Sequence, residues 1–284
     1  MNLTNPNELK NILGAYGFSF SKSLGQNFLI DKNVLDKIVS GSGINGEWGA
    51  LEIGPGAGTL TYELAENSGK TVAVEIDKRL MPLLGYTLNE FKNVKVINAD
   101  VMGLDLDALI KAEFADMPVA VCANLPYYIT TPIIMKILEE CKNVRTVTVM
   151  IQKEVADRMA ASPGGKDYGA LSVAVQFYTK PEIICRAEPH CFIPQPKVAS
   201  TVIRLDVLKE PAVSVKNQKL FFDIVKSAFG QRRKTLLNAL SKSPYLDIEK
   251  GKIIAAIEKS GLAPDVRGER LSIEQFAALA DFLE

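Results

Sequence analysis

The sequence predicts an α/β fold with a doubly wound, mostly parallel β-sheet, followed by a small all-α domain. From Ala50 onward, short apolar segments typical of buried strands alternate with segments of helical pattern, and this alternation predicts parallel β-α-β units. After a predicted linker at Lys209-Glu210-Pro211, the patterns are helical only. We therefore expect two domains, at residues 1–208 and 209–284.

The individual elements follow from apolar periodicity and from breaker residues. Strands are predicted near residues 50–53, 71–75, 94–97, 119–123 and 146–151, with a final pair at 182–185 and 200–205. Helices are predicted at 7–16, 32–41, 59–67, 152–159 and 170–178, and then at 218–229, 235–240, 252–259 and 273–282. Right-handed crossovers would place the carboxyl ends of the parallel strands at one edge of the sheet.

Composition excludes several classes of protein. The 284 residues carry 33 basic and 33 acidic side chains, so net charge alone predicts no polyanionic partner, and any nucleic-acid site must come from local clustering. No apolar run is long enough to span a membrane, and the polar N-terminus lacks the apolar core of a secretory signal. We expect a cytoplasmic protein without a membrane partner.

The cysteines and the histidine argue against a metal site. Cys122, Cys141, Cys185 and Cys191 form no C-x-x-C pair and lie in or beside apolar segments, which predicts buried, reduced thiols. His190 is the one histidine of the chain, so histidine-based metal sites and Ser-His-Asp catalysis are disfavoured. It adjoins Cys191, but adjacent residues of an extended segment point to opposite sides, so we do not expect a Cys-His pair.

A glycine-rich turn follows the first predicted strand. The segment Leu51-Glu52-Ile53-Gly54-Pro55-Gly56-Ala57-Gly58-Thr59 leads from strand to helix, and its glycines allow positive φ and close approach of a ligand. Dinucleotide-binding turns use the spacing G-x-G-x-x-G. The spacing here is G-x-G-x-G, with Glu52 two residues before it. This favours a cofactor without a phosphate, namely S-adenosylmethionine, over a nicotinamide dinucleotide.

Acidic residues end the next two predicted strands. Glu75 and Asp77 follow the second strand, about 20 residues after the glycine turn, where an acid can accept hydrogen bonds from ribose hydroxyls. Asp100 follows the third strand and could bind the adenine amine of the same cofactor. A lone acid at a strand end is more often simply solvated. The recurrence of acids at successive strand ends favours a cofactor site.

The segment Asn124-Leu125-Pro126-Tyr127 ends the fourth predicted strand and suits an amine substrate. Pro126 fixes its own φ and biases Leu125 toward an extended backbone, so that carbonyls can face a pocket. Asn124 supplies an amide oxygen as acceptor, and Tyr127 supplies a ring on which a base can stack. The alternative is a strand-to-loop turn with a buried aromatic residue. The glycine turn and the strand-end acids favour the amine site.

With these segments the chain resembles the ribosomal RNA adenine N6,N6-dimethyltransferases, and among them the bacterial small-subunit branch. The resemblance covers nearly the whole chain. It also rests on residues 22–29 (KSLGQNFL), 192–198 (FIPQPKV), 229–236 (FGQRRKTL) and 267–271 (RGERL). It implies a Rossmann-like class I methyltransferase domain with S-adenosylmethionine as cofactor. It also implies that the final two strands form an antiparallel hairpin completing seven strands, and that the C-terminal domain recognises RNA.

The residues that match the family's motifs define the expected site. The expected cofactor-binding residues are Gln26, Asn27, Leu29, Gly54, Gly56, Glu75, Ile76, Asp100, Val101 and Asn124. The expected catalytic residues, with no metal, are Asn124, Leu125, Pro126, Tyr127 and Phe192. Asn124 Oδ1 and the Leu125 carbonyl would accept the two N–H bonds of adenine N6. Tyr127 and Phe192 would hold the extruded base, although Phe192 has the alternative of a core residue under a loop.

A local basic cluster is the candidate RNA contact. Lys226, Arg232, Arg233, Lys234 and Lys242 are opposed only by Asp223 on and after one predicted helix. Such an excess is an electrostatic footprint in spite of the neutral total. A solvated helix end is the alternative, but the arginines lie in a family motif, which favours RNA contact or support of the active site. A further expected contact is Lys22, with Lys197, Arg267 and Arg270 as lesser candidates. For Arg270 the alternative is an ion pair with Glu269 between the domains.

The resemblance implies dimethylation of two adjacent adenosines in a hairpin near the 3′ end of small-subunit rRNA. The expected substrate is a late pre-30S particle, and the expected enzyme is a monomer. Three alternatives stay open. They are a large-subunit rRNA dimethyltransferase of the macrolide-resistance type, an assembly factor whose methylation is secondary, and an NAD-dependent oxidoreductase.

Overall fold

The computed structural model describes residues 2–21 and 24–284. In these ranges the strands are β1 (Phe28–Leu29), β2 (Gly49–Ile53), β3 (Lys70–Glu75), β4 (Val94–Asn98), β5 (Val119–Asn124), β6 (Val144–Gln152), β7 (Thr179–Ala187), β8 (Phe192–Ile193) and β9 (Ser200–Val207). The helices are α1 (Pro6–Ala15), α2 (Lys32–Ser42), α3 (Thr59–Asn67), α4 (Met81–Thr87), α5 (Leu106–Phe114), α6 (Thr130–Glu140), α7 (Lys153–Met159), α8 (Ala170–Tyr178), α9 (Gln218–Gly230), α10 (Leu236–Ser241), α11 (Lys250–Lys259) and α12 (Ile273–Leu283).

The main sheet has the order β4-β3-β2-β5-β6-β9-β7. Strands β2 to β6 pair in parallel, whereas β9 runs antiparallel to β6. The chain builds outward from β2 through β3 to β4 and then returns to add β5 on the other side of β2. This change of direction is the switch point at which open α/β sheets bind ligands. The predicted fold class is therefore confirmed, and the final two predicted strands are neighbours in the sheet.

The parallel register brings three predicted functional segments to one edge of the sheet. Glu75 ends β3, Asn124 ends β5, and the glycine turn follows β2. The strand centres beneath them are fully buried, with Leu51, Val72 and Val121 at 0% exposure. Each buried side chain of this size contributes roughly 1.5–3 kcal/mol, so the strands give the edge a firm support.

A second, two-stranded sheet is absent from the sequence-based prediction. Strand β1 pairs antiparallel with β8, with Phe28 opposite Ile193 and Leu29 opposite Phe192. The Ile30 N–H extends the pairing by donating to the Cys191 carbonyl at 2.8 Å. Strands of two residues are too short to carry an alternating pattern. The pairing joins the expected cofactor segment around Asn27 to the segment that contains Phe192.

The chain divides into two compact units. The first consists of Met1–Ala156 and Glu182–Val207, and the second of Asp157–Pro181 and Leu208–Glu284. The second unit is built from helices around an aromatic core, in which the rings of Phe177 and Phe221 lie 5.2 Å apart. The predicted domain boundary lies between residues 208 and 209. In the structure the chain leaves the first unit after Val207 and re-enters the second unit at Leu208. The division of labour between a methyltransferase domain and an RNA-recognition domain remains a proposal.

Among the helices of the described ranges, none is long and apolar enough to cross a membrane.

Candidate active site

A pocket opens at the carboxyl ends of β2, β3 and β5. Its empty space, counted out to the open mouth, is about 810 Å³. Most of the predicted cofactor and catalytic residues lie on its wall. They are Gln26, Asn27, Leu29, Gly54, Gly56, Glu75, Ile76, Asn124, Leu125, Pro126 and Tyr127.

The glycine turn between β2 and α3 forms the floor of this pocket. Gly54, Gly56 and Gly58 have φ values of 73°, 58° and 90°, a region that favours glycine over all other residues. A Cβ atom at Gly56 would also lie 2.8 Å from the ring of Phe28. The turn therefore requires glycine at position 56 for two reasons, its backbone conformation and the close approach of Phe28.

Glu75 is held firmly at the end of β3. Its Oε2 accepts from Gly56 N at 3.2 Å, and its Oε1 accepts from Asp77 N at 2.7 Å. Burial raises the pKa of the Glu75 carboxyl, while these backbone N–H groups act in the opposite direction. The arrangement places a buried acceptor between the glycine turn and β3, where the sequence predicts the contact to ribose hydroxyls.

Asp77, which does not line the pocket, is hydrogen-bonded to Gln26, which does. Asp77 accepts three hydrogen bonds from Arg79, which hold the pKa of its carboxyl at about 2. Gln26 donates to Asp77 Oδ2 at 2.9 Å and accepts from Ser21 N at 2.8 Å. Gln26 thus attaches the N-terminal segment to the end of β3.

The orientation of the Asn124 side chain is fixed by a backbone group. Asn124 Nδ2 donates to the Asn27 carbonyl at 2.7 Å. Since a carbonyl can only accept, the Asn124 NH2 group must face it, and Oδ1 stays free to accept from a ligand. The neighbouring Asn27 side chain is itself held by the Gly25 carbonyl at 3.0 Å.

The three residues after Asn124 form a tight turn. Leu125 N donates to the Met150 carbonyl at 3.1 Å, and the Pro126 carbonyl accepts from Ile129 N and from the Thr130 hydroxyl. In the described part of the chain no donor reaches the Leu125 carbonyl, so it remains free as a second acceptor beside Asn124. Tyr127 is partly buried, and its hydroxyl lies 2.7 Å from Ser200 Oγ.

Two buried polar atoms on the pocket wall lack a partner within the described residues, namely Glu52 Oε2 and Thr59 Oγ1. Burial raises the pKa of the Glu52 carboxyl to about 8. Unpaired buried polar atoms are unfavourable, and a polar ligand would satisfy them. S-adenosylmethionine has ribose hydroxyls and an amino-acid end. The acceptors and the hydroxyl of this wall fit such a cofactor.

The sequence profile of the ribosomal RNA adenine dimethylase family matches residues 17–284. The chain belongs to this family. A relative from Alkaliphilus oremlandii, named ribosomal RNA small subunit methyltransferase A, is 54% identical over 281 residues, which cover 99% of this chain and 98% of the relative. The predicted family and enzyme class are confirmed, and membership of the dimethylase family removes the oxidoreductase alternative.

Solved structures agree with this fold. A dimethyladenosine transferase from Plasmodium falciparum matches with a TM-score of 0.74 and 24% identity, over 89% of this chain and 95% of that chain. The 23S rRNA methyltransferase ErmE matches with a TM-score of 0.69 and 26% identity, over 90% of this chain and 99% of that chain.

Phe192, the second residue predicted to stack on a base, is not among the residues that line the pocket described above. Its side chain is 1% exposed and belongs to a core cluster with Leu29, Leu35 and Val202. The reason is the pairing of β8 with β1, which sets Phe192 opposite Leu29. In the structure Phe192 is therefore a core residue under a loop, and its contact with a base remains a prediction.

Asp100 and Val101 also lie off the pocket wall described above. Asp100 follows β4, where it is exposed and caps a short 3₁₀ turn by accepting from Met102 N at 2.9 Å. Val101 is buried. Their contact with the adenine of the cofactor remains a prediction.

Sequence reasoning assigned no role to some residues of the pocket wall. Thr59 and Tyr128 lie on it, and Glu52 entered the prediction only through its spacing from the glycines. The signal for Glu52 was an acid inside an apolar strand, which is rare unless the acid is functional. The signal for Thr59 was its position at the first turn of α3, directly after the glycines.

The candidate RNA contacts differ in whether their charged groups are already bound to other residues of the chain. Lys197, Lys226, Arg233 and Lys234 are exposed, and Lys226 Nζ lies 3.9 Å from the centre of the Tyr245 ring. Arg232 is engaged inside its own unit. It donates to Glu269 Oε2 at 2.7 Å and to the Lys166 carbonyl at 2.6 Å. Lys22 lies outside the described residues.

Proposed function

We propose that this dimethylase transfers methyl groups from S-adenosylmethionine to N6 of two adjacent adenosines in a hairpin near the 3′ end of small-subunit rRNA. The observation that carries the proposal is the pair of free acceptors at the end of β5, Asn124 Oδ1 and the Leu125 carbonyl. The 54% identity to a small-subunit methyltransferase supports the choice of subunit. The 23S enzyme ErmE shares only 26% identity.

The cofactor would occupy the part of the pocket between the glycine turn and β3. Bound there, S-adenosylmethionine supplies an electrophilic methyl group on its sulfonium. Glu75 would accept from the ribose hydroxyls, and Gly54 and Gly56 would let the ligand approach the backbone. Glu52 and Thr59 would bind its remaining polar groups, with Asp100 and Val101 assigned to its adenine.

The target adenine would enter beside Tyr127. Stacking on an aromatic ring contributes about 1–3 kcal/mol per base and offsets part of the energy needed to extrude the base. Asn124 Oδ1 and the Leu125 carbonyl would then accept the two N6 hydrogen bonds. These contacts hold the amine in position and stabilise the positive charge that develops on nitrogen as the methyl arrives.

A second methylation follows from the same pair of acceptors. After the first transfer the cationic nitrogen releases a proton and is left with one N–H bond. One of the two oxygens can still accept that bond, while the methyl group takes the place of the other hydrogen. The pocket mouth is open, so the secondary amine needs no new site.

We assign the exposed basic residues of the second unit, together with Lys197, to contacts with rRNA phosphates. Arg233 and Lys234 are exposed there, and arginine suits phosphate oxygens better than lysine does. The proposed substrate is a late pre-30S particle, and the proposed enzyme is a monomer. The balanced total charge argues for a particle over naked RNA, because unspecific attraction to a polyanion is weak.

The test offers the enzyme labelled S-adenosylmethionine with unmethylated small-subunit or large-subunit particles, followed by digestion of the RNA to nucleosides. We expect label in N6,N6-dimethyladenosine from the small subunit only, and labelling at least about 100-fold slower with Asn124→Ala. Label from the large subunit would move the assignment to the resistance type. No label from either particle, with cofactor still bound, would leave particle binding as the main activity.

A further inference from the structure

Three potential metal ligands converge next to the β1–β8 pair. A carboxylate oxygen of Asp31, an imidazole nitrogen of His190 and Sγ of Cys191 all lie within 4.8 Å of one another. The Cys191 thiol donates a hydrogen bond to Asp31 Oδ2 at 3.6 Å, and a metal ion would take the place of its proton. Sulfur and oxygen ligands of one tetrahedral zinc ion, bound at about 2.3 and 2.0 Å, are about 3.5 Å apart. The existing separation therefore already matches a shared zinc ion.

The backbone explains how two adjacent residues can face the same point. Residues Pro189–Cys191 form a 3₁₀ turn, closed by a hydrogen bond from Cys191 N to the Glu188 carbonyl at 3.0 Å. The expectation that His190 and Cys191 point to opposite sides assumed an extended segment. That expectation is wrong, because a helical turn does not alternate its side chains as a strand does.

Two of the three ligands are held in place. Asp31 caps α2 through Oδ1, which accepts from Val34 N at 3.1 Å, and its Oδ2 accepts only from the Cys191 thiol within the described ranges. Cys191 is buried, and its carbonyl accepts from Ile30 N. His190 is exposed, and its ring forms no hydrogen bond within the described ranges. Its side chain can rotate to close the remaining distance without a change in the backbone.

We propose that Asp31, His190 and Cys191 bind a zinc-type divalent cation, with solvent as the fourth ligand. One thiolate, one carboxylate and one neutral imidazole balance the two positive charges of the ion. Thiolate and imidazole favour zinc over magnesium or calcium, which prefer oxygen ligands. Nothing in the proposed methyl transfer uses this ion, so we assign it an effect on stability and not on catalysis.

The position of the site suggests what the ion does. A pair of two-residue strands is weak by itself, yet β1 is the end of the segment 24–29, which forms one wall of the cofactor pocket. An ion bound by Asp31, which follows β1, and by Cys191, which precedes β8, would clamp the two strands together. It would stabilise the folded state in proportion to its concentration, and it would hold that wall of the pocket.

The test is a cobalt titration of the purified full-length protein after treatment with a chelator. Cobalt reports thiolate ligation by a charge-transfer absorption in the near ultraviolet, and zinc should displace it because it binds such sites more tightly. We expect one saturable cobalt ion per chain. Cys191→Ser should abolish the absorption. His190→Ala and Asp31→Asn should each weaken binding by at least about 100-fold, because even the loss of a ligand's hydrogen-bonding partner costs roughly 10–100-fold.

The variants separate metal ligation from misfolding. Asn is also a good N-cap, so Asp31→Asn preserves the start of α2, and His190 is exposed, so alanine is tolerated there. Cys185→Ser is the matched control, since Cys185 packs against the same core cluster but lies outside the group of three. The proposal is overturned if folded protein gives no cobalt absorption. It is also overturned if the absorption survives Cys191→Ser, or if His190→Ala and Asp31→Asn leave the affinity unchanged. None of these readouts depends on methylation.

Discussion

The phenolic oxygen of Tyr127 lies 2.7 Å from Ser200 Oγ. Ser200 is fully buried at the start of β9, where it pairs with Gln152 at the end of β6. Tyr127 follows β5, the neighbour of β6 in the sheet. The hydrogen bond therefore sets the angle of the Tyr127 ring against a rigid support before any RNA arrives.

We expect Ser200→Ala and Tyr127→Phe each to lower kcat/KM on the particle. The loss of one hydrogen bond of about 0.5–1.5 kcal/mol corresponds to roughly a 2–12-fold effect. The two effects should not add in the double variant, since both remove the same contact. Tyr86→Phe, an exposed tyrosine away from the pocket wall, is the control. Additive losses would show that Ser200 acts on catalysis by another route.

Asn124→Ala should reduce turnover far more than cofactor binding. Removal of one group that stabilises charge in a transition state costs about 100–1,000-fold in kcat. We expect a loss of this size in single-turnover methylation. The dissociation constant for S-adenosylmethionine, from calorimetry, should change by much less. Asn67→Ala, outside the pocket wall, should leave both values unchanged. Near-normal turnover by folded Asn124→Ala would refute the proposed mechanism.

Glu52 should make stability fall as the pH rises. Its pKa is about 8 in the folded protein against 4.5 for an ordinary glutamate. Between these values the folded state holds a proton that the unfolded state has lost. Its contribution to stability is thus complete below pH 4.5 and is lost as the pH rises to about 8, with a slope approaching about 1.4 kcal/mol per pH unit.

Urea unfolding at several pH values between 5 and 8 would measure this effect. Glu52→Gln should flatten the decline, because a neutral amide replaces the buried acid. Glu66→Gln is the control, since Glu66 is an exposed glutamate on α3, the helix that follows the glycine turn. Identical curves for the wild type and Glu52→Gln would mean that Glu52 titrates normally.

Arg233 and its neighbour Arg232 should differ in their contribution to rRNA binding. Arg233 is exposed and forms no ion pair in the described part of the chain, whereas Arg232 is bound to Glu269. We expect Arg233→Ala to weaken rRNA binding. It should also lower the slope of log K against log salt concentration by about one unit, which corresponds to one phosphate contact. Filter binding at several salt concentrations would measure it, with Lys259→Ala as the control. An unchanged slope would exclude a phosphate contact at Arg233.

The sequence predicted the sheet closely because its strands end at recognisable residues. The glycines after Ile53, the acid Glu75 and the Pro126 after β5 all interrupt apolar runs, and the helices Thr59–Asn67 and Ala170–Tyr178 have the predicted bounds. The same signals identified most of the pocket wall, since ligand-binding residues follow parallel strands.

The features that the sequence did not predict have two physical causes, which are contact between segments distant in the chain and one short local turn. The β1–β8 pair depends on tertiary packing, and it buries Phe192 beside Leu29. The turn at Pro189–Cys191 contradicts the extended backbone assumed for His190. The free acceptor on Asn124 depends on the Asn27 carbonyl, 97 residues away. No local pattern reports such contacts.

The fixed Asn124 amide gives the pocket a way to distinguish purines. With its NH2 group held by the Asn27 carbonyl, Asn124 can offer only its oxygen to the base. An exocyclic amine pairs with that oxygen. A 6-keto group, as in guanine or in the hypoxanthine left when adenine is deaminated, would set one lone pair against another. If Asn124 binds the base as proposed, a single backbone carbonyl would thereby let the pocket reject a damaged or wrong base before any chemistry begins.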